Sequence, residues 1–162
     1  MRSLITLGLV CFSFILRAQQ TDIIIIGAGA SGTMAAIQAA RSGAKVVLLE
    51  ETSWPGGMLT SAGVSAIDGN YKLSSGLWQE FRMALEDHYG GAEALKTGWV
   101  SNVLFEPQVA ATILSEMLHS AGVDIRLKES VKSIKKKSGI WSVKTKSKQT
   151  LTSQILIDAT EL

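Results

Sequence analysis

Cysteine is almost absent: Cys11 is the only one in 162 residues, and it lies inside an apolar N-terminal run where a lipoprotein cysteine is not expected. Without residues 1–18 no thiol remains, which excludes a disulfide framework, a cysteine metal site and a cysteine nucleophile from the rest of the chain. The apolar run from Leu4 to Leu16 is of signal-peptide length and too short to span a bilayer comfortably. Arg2 gives it a charged start, and Leu16 and Ala18 stand at the third and first positions before a plausible cut ahead of Gln19. Residues 1–18 are therefore expected to be a cleaved secretory signal, with an uncleaved anchor as the alternative and no stable membrane span after cleavage. A twin arginine is missing, so the general secretory route and a periplasmic or secreted location are expected. Net charge is missing too. Of 16 basic residues, Arg2 and Arg17 fall in the signal, leaving 14 against 14 acidic ones; a formally neutral remainder carries no message about nucleic acid. There are no internal repeats or low-complexity tracts, so residues 19–162 read as one domain with a real core.

The stretch from Asp22 to Glu50 organises the rest. Ile23 to Ile26 are four β-branched apolar residues, as expected of a short strand buried on both faces in a parallel sheet. Gly27, Gly29 and Gly32 then form G-x-G-x-x-G: the first for a tight turn, the second to leave room for a pyrophosphate, the third for close helix packing. The N–H groups around Ala28, Ala30 and Ser31 open a helix whose first turn suits a phosphate. Gly43 sits where a C-cap glycine belongs, Lys45 leads into an apolar strand from Val46 to Leu49, and Glu50 follows. An acid about 20 residues after the glycine turn is placed to accept hydrogen bonds from a ribose.

After Glu50 comes a long loop rich in Gly, Ser and Thr, with Pro55-Gly56-Gly57 as a turn whose backbone could approach a ligand beside Met58. Leu77 to His88 reads as an amphipathic helix closed by Gly90-Gly91, and Pro107 to Ser120 as a second one with Pro107 in its first turn. His88 and His119, each at a helix C-terminus, are expected to interact with free carbonyls and not to be catalytic. Four β segments follow: Val123 to Leu127, one from Val131, one from Trp141, and Leu151 to Thr160. Ser138-Gly139 is the tight turn between the middle two, which should pair antiparallel with one wet face. Arg126 to Lys148 holds nine basic side chains and one acid, Glu129. Trp141 is the only aromatic there, so a solvated sheet face that discourages edge pairing is preferred over a nucleic-acid surface.

The order of these elements resembles the amino-terminal part of FAD-dependent oxidoreductases of the glutathione-reductase fold, especially the fumarate reductase flavoprotein branch. The matching pieces are GAGASG with Glu50, the GGM that follows, the helix leading into GVDIRL, the lysine-rich β-meander, and ILIDAT. The resemblance implies a Rossmann-like α/β domain with an antiparallel meander, and FAD as cofactor. Its pyrophosphate would lie on the first glycines and its adenosine ribose on Glu50. The Gly56-Gly57 segment would pass nearby, Val131 would meet adenine through its backbone, and Ala159 and Thr160 would lie beside the cofactor. Glu161 stands where that family usually has glycine, which resembles its D-A-T-E-x-G-D variant. The same resemblance implies hydride transfer between FAD and a small-molecule substrate. It also implies that the substrate domain lies downstream, so these residues alone should not turn over substrate. No catalytic base is assigned. A nicotinamide dehydrogenase and a non-catalytic nucleotide-binding fragment are the alternatives, with NADP disfavoured by Glu50.

Overall fold

The computed structural model describes residues 19–67, 69 and 71–160; the expected signal at 1–18 and the departure at Glu161 lie outside the described residues. The chain runs β1 (Gln19–Ile26), α1 (Ala30–Arg41), β2 (Val46–Leu49), α2 (Gly76–Tyr89), α3 (Pro107–Ser120), β3 (Asp124–Arg126), β4 (Val131–Lys137), β5 (Ile140–Thr145) and β6 (Thr150–Asp158). These form one six-stranded sheet in the order β3-β2-β1-β6-β5-β4. The first four strands in that order are mutually parallel, and β6-β5-β4 is the antiparallel meander. The α/β fold with a parallel core and a meander is as the sequence predicts.

Two details differ. β1 is eight residues long, because Gln19 to Thr21 pair with Leu151 to Ser153 of β6 ahead of the isoleucine run. The segment expected from Val123 to Leu127 shrinks to Asp124–Arg126, the three residues that pair with Val47 to Leu49 of β2.

Alternation along β1 and β2 builds a core on each side of the sheet. Ile25, Val46 and Leu48 pack on one face with Ala36 and Ile37 of α1 and Leu118 of α3. Ile24, Ile26, Val47 and Leu49 form the other face with Val143 of β5 and Leu151 of β6. The meander therefore shares a core with the parallel strands. A third cluster joins α2 to α3 through Phe81, Leu85, Ile113 and Leu114, with Phe81 and Phe105 edge to face at 5.8 Å. In the β4–β5 turn, Ser138 and Gly139 both have positive φ, at 49° and 83°, the conformation a two-residue hairpin of this twist requires.

The two histidines correct an expectation. Gly90 closes α2 in the left-handed conformation, its N–H donating to the Glu86 carbonyl; the His88 ring instead meets Tyr89 edge-on at 4.8 Å. At the end of α3 the backbone N–H of Ala121 donates to the Met117 carbonyl and that of Gly122 to the His119 carbonyl. The backbone supplies both caps, so the imidazoles are left at the surface end of each helix.

Candidate functional site

The turn between β1 and α1 is fixed by contacts that leave its glycines no room for side chains. Gly27 has φ +92°, and a Cβ there would come within 2.5 Å of the Ala159 carbonyl oxygen. A Cβ on Gly32 would stand 2.0 Å from the Gly27 oxygen. These two glycines are needed for the turn and for seating the helix. Gly29 differs: its φ is −57°, open to any residue, so its own conformation is no reason for glycine. What Gly29 does is line a cavity.

That cavity has a volume of about 390 Å³. It is bounded by the ends of β1 and β2, the start of β4 and the end of β6, and it gathers Gly27, Gly29, Glu50, Gly57, Val131, Ala159 and Thr160. α1 begins directly after Gly29 of the cavity wall, and its first turn has no acidic residue and no side-chain cap. The N–H groups of Ser31 and Gly32 have no hydrogen-bond acceptor among the described residues. Free N–H groups and a positive dipole end suit an anion. Elsewhere Glu50, Glu51 and Glu129 line the wall with Lys146, a balance that suits neutral hydroxyls and repels a further phosphate.

Glu50 is 8% exposed, and both of its carboxylate oxygens already accept backbone hydrogen bonds. Oε2 accepts from the Ala28 N–H at 2.7 Å and Oε1 from the Thr52 N–H at 2.8 Å. It thereby ties the glycine turn to the end of β2. Each oxygen keeps a second acceptor site, so a hydroxyl in the cavity can still be bound. Glu129 is held below the usual carboxylate range chiefly by hydrogen bonding from the Ser147 side chain, which burial opposes and the Ser147 backbone N–H reinforces to a lesser degree. Asp158 is likewise held low, first by the Thr160 hydroxyl at 2.7 Å and then by the Thr160 N–H; this pins the last turn beside the cavity.

Several expected positions do not face the cavity. Ala28 is fully buried and contributes its backbone, donating to Glu50 and accepting from the Gly56 N–H at 2.6 Å. Ala30 and Ser31 form the adjacent helix start, and Gly32 lies beneath it. Gly56 has a packing role: with φ +111°, its absent Cβ would fall 2.6 Å from the Thr60 side chain and 2.8 Å from Leu114. Gly57, not Gly56, lines the cavity. Met58 points away and is 54% exposed, because the 3-10 turn at Gly57–Leu59 rotates it to solvent. Sequence reasoning missed Thr52, Ser61, Glu129 and Lys146 as wall residues. Only Glu129 carried a signal, as the lone acid in a basic run just before Val131.

Comparison with known proteins places this geometry. A family model described as FAD dependent oxidoreductase matches residues 22–162. The sarcosine oxidase subunit alpha of a Corynebacterium species is 49% identical over 49 residues, 30% of this chain and 5% of that protein. A probable fumarate reductase of Shewanella frigidimarina is 26% identical over 76 residues, 46% of this chain and 13% of its own length. The chain thus spans a small part of these relatives. Among solved structures, thioredoxin reductase from Lactococcus lactis superposes with a TM-score of 0.54 at 21% identity, covering 86% of this chain and 35% of that one, which is a likeness of fold. With the family pattern running from the first strand to the end of the sheet, the chain belongs to the FAD dependent oxidoreductases.

Proposed function

We propose that the cavity receives the adenosine diphosphate part of FAD, in an exported oxidoreductase that exchanges a hydride between the flavin and a small-molecule substrate. The observation that carries the reading is the convergence of seven residues from five separate segments on one cavity. In this reading the Ser31 and Gly32 N–H groups, beside Gly29 and Ala30, receive the pyrophosphate. Glu50 accepts the ribose hydroxyls on its unused lone pairs, and Val131 meets adenine through its backbone. Gly57, Ala159 and Thr160 bring small side chains or bare backbone alongside the rest of the cofactor. The site fits FAD on the chemistry of these groups: free N–H donors for the phosphates, carboxylates for the hydroxyls. When bound, FAD supplies the two-electron chemistry; the chain's own part is to hold and orient it.

Protein purified at its full natural length should carry a flavin absorbance band that survives desalting, whereas a colourless protein that binds NADH would overturn the reading. Gly29→Val places a branched side chain in the phosphate space at a backbone conformation valine tolerates. It should abolish flavin retention while circular dichroism stays close to that of the parent. Retention at full occupancy would mean that the phosphates lie elsewhere.

Export rests on the sequence of residues 1–18. Fused to a reporter active only outside the cytoplasm, this leader should switch the reporter on and leave Gln19 as the new amino terminus. A silent reporter with no processing would refute export. The secretory route carries unfolded chains, so FAD would be acquired after translocation.

A further inference from the structure

We propose that the tip of the β4–β5 hairpin is a docking site for lipid bilayers containing anionic phospholipid. Between Lys132 and Lys148 the chain has seven lysines and no acidic residue. No carboxylate lies within salt-bridge distance of any of these seven ammonium groups among the described residues. The tip of the hairpin therefore presents Lys135, Lys136 and Lys137 with no carboxylate partner among the described residues.

Its register decides what kind of surface it fits. Cross-strand neighbours pair Lys136 with Trp141, Lys135 with Ser142, and Lys137 with Ile140. Alternation then puts Lys136 on one face of the ribbon and Lys135 and Lys137 on the other, so the cations ring the tip instead of forming one flat stripe. Ile140, 39% exposed, shares the face of Lys135 and Lys137 at the turn, whereas Ile134, 41% exposed, lies on the opposite face with Lys136. A turn that carries one exposed isoleucine among long cationic side chains fits the interface of an anionic bilayer, where Ile140 enters the acyl boundary and lysine stems reach back to the headgroups. A nucleic acid is matched less well. The one aromatic ring on the hairpin is already covered by the Lys136 ammonium at 4.7 Å, and stacking platforms need an open ring.

The position is compatible with the cofactor site and does not depend on it. Val131 at the root of β4 lines the cavity, and the six steps to Lys137 carry the tip roughly 20 Å away. A docked tip leaves the cavity open to solvent.

The test is co-sedimentation of the full chain with vesicles of phosphatidylcholine alone or mixed with phosphatidylglycerol. The same is done with the variant Lys135→Gln, Lys136→Gln, Lys137→Gln, and separately with Ile140→Ser. Binding should require phosphatidylglycerol and weaken with added salt. The triple variant should partition about 100-fold less well, three lysines at about fivefold each. Circular dichroism of each variant should match that of the parent, since these side chains are exposed. Equal sedimentation with neutral and anionic vesicles, an unchanged triple variant, or retention on heparin without vesicle binding would each overturn the proposal.

Discussion

Gly32→Ala should destabilise the folded protein by about 3–5 kcal/mol, an effect at the top of the range for one added methyl. The new Cβ would stand 2.0 Å from the Gly27 carbonyl oxygen and 3.1 Å from the Ala159 side chain. The first neighbour is backbone, so it cannot move aside as the end of a flexible side chain would. Relief requires α1 to lift off the sheet, which loosens the packing of Ala36 and Ile37 on Ile25 and Leu48. Urea unfolding of the protein without cofactor is the measurement, with a lower midpoint and an unchanged slope expected. A loss below about 1 kcal/mol would show that the helix does not rest on the turn as described. The contrast with Gly29→Val is the informative part. One glycine of the triplet serves the fold and should show its effect without FAD; the other serves the ligand space and should show it only in flavin retention.

Glu50→Gln should also lower stability without any cofactor, by about 2–3 kcal/mol. A carboxylate presents acceptors to both the Ala28 and Thr52 N–H groups. An amide has one acceptor and one donor group, so one backbone N–H would face a donor. Ala28 is fully buried, and an orphaned N–H there has no water to turn to. From the sequence, Glu50 is expected to act as a ribose ligand. The structure makes it also the tie between the glycine turn and β2, so the variant should lose both stability and flavin affinity. Unchanged urea unfolding together with weakened flavin binding would restore the simpler ribose role.

The unit from β1 to Glu50 was legible in the sequence because all its parts are local. Four apolar residues, three glycines at fixed spacing, a small-residue helix and a second apolar run lie within 30 residues, and each obeys a short-range rule. The ends of α2 and α3 were readable to within about one residue for the same reason, through the Gly90 stop and the Pro107 start. Ser138-Gly139 marked its hairpin by turn chemistry alone. The full length of β1 was not legible. Its polar first half becomes strand only because β6, some 130 residues on, supplies backbone partners from Leu151 to Ser153, and backbone hydrogen bonds leave no mark on side-chain type. The site divides in the same way. Glycine turn and acid were written in one contiguous motif, whereas Ser61, Glu129 and Lys146 reach the cavity wall only through folding. Gly56 and Gly57 show the limit most sharply. Adjacent and chemically identical, they differ because Leu114 and Thr60 pack against the first while the second is turned to the cavity, a distinction set by packing between distant segments.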